Sequence, residues 1–239
     1  DSGNPNTFTP SDDSSTVDVS TITSSLSGGT DVTITTGSDG VQNGDISIAT
    51  PISAAMDTSD ATLTLNAAGG ISNSSMSNGI QATGSNKLNI VLSAGGAVDL
   101  QAQIDTNQGD FTSSGTDFTN RSLGFIITSG GDVTLNHTGA VSFQQMVNLI
   151  GTGGTGGTLS INDSASSVDL SASVQTAASN IDFGDNPLTL GTTATVETTG
   201  AGNISFGSTV DGDGGSDTLT INSGTGAVNF AGPIGSANG

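Results

Sequence analysis

Apolar residues along this chain come as couplets separated by a single polar residue, and the couplets recur. Asp217–Ile234 (DTLTINSGTGAVNFAGPI) reads Leu219/Ile221, a polar turn around Gly224 and Gly226, Val228/Phe230, and then Ile234. The same order appears in Asp132–Val147 (DVTLNHTGAVSFQQMV), Thr158–Val174 (TLSINDSASSVDLSASV) and Lys87–Ile104 (KLNIVLSAGGAVDLQAQI), and more loosely in Asp31–Ile52. Period-two alternation in such short pieces, bounded by Gly, Asn and Ser, predicts strands. Repetition of one unit predicts a solenoid. Equivalent positions return after 24 residues between Ile204 and Val228 and after 27 between Val141 and Val168. The chain is therefore expected to make about ten irregular coils, a rod on the order of 45–50 Å long at roughly 4.8 Å per strand.

The predicted fold is all-β, a parallel β-helix (β-solenoid). In each φ-x-φ couplet two aliphatic side chains point inward, with Thr, Ser, Asp or Asn outward between them. Corners need Gly and Asn, which accept tight backbone bends. Asn66, Asn136, Asn162 and Asn222 each directly follow a couplet, which predicts a corner and a short amide ladder. A β-sandwich is the competing architecture, but it would want more hairpin turns and a larger-volume core. Residues 1–28 read as an extended arm or linker with a weak first strand at Val17/Val19/Ile22. Residues 29–239 read as one solenoid domain with an insertion near 105–125, where Phe111, Phe118, Arg121 and Phe125 break the pattern. No capping helix is expected at either end.

Composition sharpens this picture. There are 36 Gly, 8 Phe and no Trp, Tyr or Cys, so the core must be thin and built from stacked aliphatic layers. Two basic residues, Lys87 and Arg121, face 22 acidic ones, all but Glu197 being Asp, for a net charge of −20. Such a surface repels nucleic acid and anionic membranes and attracts divalent cations. No apolar run is long enough to span a bilayer. No signal peptide is visible before Asp1, as in a mature form or an excerpt of a longer protein.

The segments NISFGSTVDG…DTLTINSGTGAVNFAGPIGS (203–236), SGGDVTLNHTGAVSF (129–143) and GAVDL (96–100) resemble repeats of large secreted bacterial proteins. These are the filamentous-haemagglutinin-like exoproteins and the giant β-strand-repeat surface proteins. The resemblance covers about two thirds of the chain; the amino-terminal secretion domain of that family has no counterpart here. It implies a right-handed solenoid, an extracellular or cell-surface location, and a role in adhesion, biofilm or fibres.

The candidate chemistry is sparse. Asp211, Asp213 and Asp217 lie in the Gly-rich VDGDGGSDTL, which approximates one copy of a calcium-binding nonapeptide, although Asp213 replaces its second Gly. The bland reading is an Asp/Gly corner. No cofactor is required and calcium is the metal to test. His137, the single histidine, reads as a solvent-facing turn residue. Catalysis is not expected, because the aromatic and basic clusters of sugar-cleaving solenoids are missing. Thr-x-Thr pieces at Thr33/Thr35, Thr62/Thr64 and Thr218/Thr220 suggest, as a minor reading, an ice-binding array. The sequence thus predicts a structural extracellular rod, a subunit or segment of a bacterial surface filament that self-associates end to end or belongs to a longer parent chain. The alternative is an adhesin module whose insertion (Gln108–Ser122) carries a cell-surface or carbohydrate contact.

Overall fold

The computed structural model describes residues 4–12, 14–37 and 42–235; the first three residues of the expected arm and the closing SANG lie outside them. A short strand, β1 (Asn6–Phe8), and a helix, α1 (Val19–Ser27), come first. Each later turn then lays down three strands. The first two turns are β2 (Val32–Thr35), β3 (Ile46–Ile48) and β4 (Ile52–Met56), then β5 (Ala61–Ala67), β6 (Ile71–Asn73) and β7 (Ile80–Gly84). Next come β8 (Leu88–Ala94), β9 (Val98–Leu100) and β10 (Ile104–Asp105), then β11 (Phe111–Gly115), β12 (Phe118–Asn120) and β13 (Ile126–Ile127). The fifth and sixth are β14 (Val133–His137), β15 (Ala140–Phe143) and β16 (Val147–Asn148), then β17 (Leu159–Ile161), β18 (Ser167–Leu170) and β19 (Val174–Thr176). The last two are β20 (Ile181–Asp182), β21 (Leu188–Leu190) and β22 (Ala194–Thr198), then β23 (Ile204–Phe206), β24 (Val210–Gly212) and β25 (Leu219–Asn222), with β26 (Val228–Phe230) opening another.

Every strand pairs in parallel with its counterpart one turn away, giving three sheets of ten, eight and eight strands. This is a parallel β-helix of about nine turns, one fewer than the repeat count suggests. Equivalent first-sheet residues are Val32, Leu63, Ile90, Phe111, Val133, Leu159, Ile181, Ile204 and Val228. A turn thus takes from 21 residues (Ile90 to Phe111) to 31 (Val32 to Leu63). The stretch 105–125, expected as an insertion, is a regular turn: Phe111 and Phe118 are fully buried inward members of β11 and β12. They fill core volume that Val, Ile or Leu fills in neighbouring turns.

Core side chains stack in columns. One second-sheet column is Ile46, Ile71, Val98, Phe118, Val141, Val168, Leu188 and Val210. Near the end of the rod, Phe183, Phe206 and Phe230 stack with ring centroids 5.0 and 4.8 Å apart and planes nearly parallel. Ring spacing there follows the inter-strand spacing, which is why small stacked layers suffice without Trp or Tyr.

The corner before the first sheet explains much of the Asp and Asn content. Asp31, Thr62, Asn89, Asp110, Asp132, Thr158, Asn180, Asn203 and Ala227 form one column, each directly preceding a first-sheet core residue. The side-chain oxygens of Asp31, Asn89, Asp110, Asp132, Asn180 and Asn203 each accept the backbone N–H of the next member at 2.7–3.0 Å. Asp45 and Asp117 do the same for Gly70 and Ala140 at the corner before the second sheet. These carboxylate and amide oxygens satisfy donors that the bend in the chain takes out of the ladders. The predicted amide ladder is different. Asn66 and Asn136 share a first-sheet column that Ser93 and Ser114 interrupt, and Asn222 belongs to the third sheet.

The amino-terminal segment is a cap, not an arm. β1 adds a strand to the first sheet beside β2, and Val19 and Ile22, expected in a strand, are helical. Helix α1 lies where a third-sheet strand would fall and packs on β4, burying Ile22 and Leu26. Its N-cap is Asp18, whose carboxylate accepts the Ser20 N–H at 2.7 Å, and Gly29, at φ +77°, carries the chain away from its end. Ser27 Oγ accepts the N–H of Ala55 at 3.0 Å, covering an edge donor of β4. Leu26→Ala should cost about 2–4 kcal/mol, since the leucine is wholly buried. Hydrogen exchange should show the loss confined to β1, α1 and the first turn; an even loss along the rod would mean the cap is not a separable layer.

Candidate functional site

The three predicted ligands lie at the far end of the rod. Asp211 sits on β24 in register with Thr189, on the outer face of the second sheet. The chain then turns, and Asp213 Oδ1 accepts the Gly215 N–H at 2.9 Å. Asp213 and Asp217 face each other across this turn, and the Asp217 pKa is raised, first by loss of water and then by hydrogen bonding and charge from Asp213. A cation between two such carboxylates would relieve their repulsion. Calcium takes about six to eight oxygens, and among the described residues no three His, Cys, Asp or Glu side chains are grouped to hold a metal. Melting in millimolar calcium decides between the two readings: a saturable rise would assign the pair to a cation, and no shift would leave an Asp/Gly corner.

His137 is not on the surface. It ends β14 with its ring wholly buried, above Gly115, the residue paired with it one turn back. A Cβ on Gly115 would sit 3.4 Å from the ring's Cε1, an ordinary contact, but 2.5 Å from the Gly96 carbonyl oxygen, so the backbone of the turn below, not the imidazole, calls for glycine here. Nε2 hydrogen-bonds the buried Ser113 hydroxyl at 3.0 Å, and the Phe118 ring lies 5.4 Å away, centroid to centroid. Nδ1 has no hydrogen-bond partner; the Thr116 carbonyl is near it but short of hydrogen-bond geometry. Burial pushes the His137 pKa down to about 4, against weaker opposing pulls from that carbonyl and the Asp117 carboxylate. The signal in the sequence was Ser113, a polar residue in a column that also holds Ile34, Leu65, Leu92, Leu135 and Ile161.

Arg121 forms a two-point pair with Asp99 one turn below, Nε to Oδ1 at 2.8 Å and a terminal nitrogen to Oδ2 at 2.6 Å. Both side chains are partly exposed (43% and 31%), so the pair aligns two turns more than it stabilises them. The Thr-x-Thr pieces do not build a two-column array: Thr33 stacks on Thr64, but Thr35 stacks on Asn66 and Thr62 on Asn89.

Two hollows lie at opposite ends. One of about 770 Å³ sits under the cap, between the segments 8–12 and 14–22 and the strands β2 and β3, with Phe8, Ile22, Ile34 and Ile46 among its walls. The other, about 320 Å³, opens beside the final rung between Val210, Asp217, Ile221, Phe230 and Ile234. Neither gathers catalytic groups. Comparison with family models, curated proteins and solved structures finds no match in any of the three. Among the described residues no helix is long and apolar enough to cross a membrane.

Proposed function

We propose that this chain is a structural extracellular β-solenoid, a stiff subunit or segment of a bacterial surface filament, whose final rung meets a further coil supplied by a second copy or by a longer parent chain. The carrying observation is the difference between the two ends. At the amino-terminal end α1 covers β4, and the exposed β1 is only three residues long, flanked by Pro5 and Pro10, which cannot donate to a further strand. The final rung has no such protection among the described residues: Val228 is 40% and Ile234 60% exposed, and Phe230 ends a stacked aromatic column. Such an edge offers unpaired backbone and apolar layers to another coil.

In the adhesin alternative a protruding insertion carries the contact, and Gln108–Ser122, the stretch proposed for it, lies within a regular turn. The filament reading is tested by light scattering across protein concentration and by negative-stain microscopy. Association that grows with concentration, with rod-shaped particles, is expected. A particle that stays at 23.2 kDa at every concentration would contradict self-association.

A further inference from the structure

We propose that His137 is an acid-operated latch: its protonation opens the corner that joins β11 to β12 and β14 to β15, while the rest of the rod stays closed. This inference is independent of the filament reading. The geometry that carries it is a buried imidazole with one ring nitrogen engaged by Ser113 and the other without a partner. A neutral ring tolerates that environment. An imidazolium has two N–H donors and a charge, and the pocket supplies one hydroxyl, the face of Phe118 and, beside Nδ1, a Thr116 carbonyl that falls short of hydrogen-bond geometry while the corner is closed.

The charged groups around this corner do not compensate a buried cation. Asp117, in the turn after β11, is the nearest carboxylate, and its Oδ1 already accepts the Ala140 N–H at 2.8 Å. Asp163, one turn above, accepts the Asp185 N–H, and Asp99 on β9 is held by Arg121. β11, β12 and β15 present no charged residue of their own. The turn above contributes the Asn162 amide oxygen, which takes the His137 backbone N–H, not the ring. Swinging the ring outward would bring the charge to water and to Asp117. That motion breaks the bonds from the Thr138 and Gly139 N–H groups to the Gly115 and Thr116 carbonyls (3.2 and 2.8 Å), which tie the two turns at this corner.

The sign follows from the depressed pKa. The open form takes up the proton below the ordinary value of 6.5 and the closed form only below about 4. Closure is therefore at full strength above pH 6.5, weakens about tenfold per unit as pH falls, and weakens no further below about 4. Because the chain has a single histidine, its ring can be followed by NMR without assignment ambiguity.

The test combines that titration with amide exchange at Thr138 and Gly139, corrected for intrinsic rates and compared with Leu188 and Val210 on distant turns. The expected result is a ring midpoint near 4 and a fall of up to roughly 300-fold in protection at the two corner amides between pH 6.5 and 4. Leu188 and Val210 should not follow it, and His137→Gln, which can keep a hydrogen bond to Ser113, should abolish the fall. A midpoint near 6.5, or corner protection independent of pH, or the same fall in His137→Gln, would overturn the proposal. If the variant does not fold, the wild-type ring midpoint and corner exchange decide alone.

Discussion

Gly131→Ala should cost about 3 kcal/mol or more, an unusually large penalty for one methyl group. Gly109, Gly131 and Gly157 stack at the corner between the third and first sheets, one residue before the Asp110, Asp132 and Thr158 positions. A Cβ on Gly131 would run into the carbonyl of Gly109, and one on Gly157 into the carbonyl of Gly131. Both obstacles are backbone, so no side chain can turn aside; the turns themselves must part. Parting them strains the Asp110–Asp132 and Asp132–Thr158 hydrogen bonds on either side. Gly153→Ala is the control. A methyl on Gly153 would meet nothing within 4 Å, and only a positive φ of 74° resists it, worth about 1–2 kcal/mol. Urea midpoints of the two variants should differ clearly, with exchange in the Gly131 variant fastest in the fourth to sixth turns. Equal midpoints would show that the corner is looser than its stacked carbonyls imply.

Phe118→Ala is expected to cost about 3–5 kcal/mol. The ring is wholly buried and lies 6.3 Å from both Phe111 and Phe143, edge to face, so its loss leaves a hollow bordered by rings on two sides and His137 on a third. The neighbouring positions in its column, Val98 and Val141, are too small to fill that space. Two readouts follow. Thermal or urea unfolding should shift toward instability, and water entering the hollow should raise the His137 midpoint from about 4 toward its ordinary value. A destabilised variant whose histidine still titrates near 4 would mean that the ring does not keep the imidazole dry.

The couplets were a faithful guide to the strands and a poor guide to their phase. Leu219/Ile221–Val228/Phe230 and Val133/Leu135–Val141/Phe143 look like the same unit, yet the first joins the third sheet to the first and the second joins the first sheet to the second. Any two consecutive strands of a three-sided coil read as couplet, turn, couplet, so the pattern alone cannot say which corner lies between them. The cap was hidden for a different reason. Residues 19–27, VSTITSSLS, are rich in β-branched and hydroxyl residues with little preference for helix, and β4 rather than propensity makes them helical. The signal was present in Val19, Ile22 and Leu26, a helical stripe between Asp18 and Gly28–Gly29.

The candidate chemistry divides along the same line. A cluster of Asp in a Gly-rich turn was visible, and the structure brings Asp213 and Asp217 together. Asp31, Asp45, Asp110, Asp117 and Asp132 have a plainer use, as acceptors along the corners, and that needs the register to be seen. A recurring spacing in the sequence pointed the same way. Thr106, Thr128 and Ser223 are each followed three residues later by Gly, and each hydroxyl donates to that glycine's carbonyl at 2.5–2.9 Å, closing the turn between the third and first sheets. His137 could not be placed from sequence, because Ser113 stands out as a polar residue in a core column only once β11 is seen stacked between β8 and β14.

One vertical register underlies all of this. Thr33 and Ser205 face outward in the same first-sheet column, seven rungs apart. The chain has no cysteine of its own, so spin labels on Thr33→Cys and Ser205→Cys report that pair alone. Electron-spin distance measurement should give a narrow distribution centred at about 34 Å, seven steps of roughly 4.8 Å. A distance of about half that value, or a broad distribution without a peak, is what strands folded back as antiparallel hairpins or laid in two facing sheets would give, and it would contradict the solenoid outright.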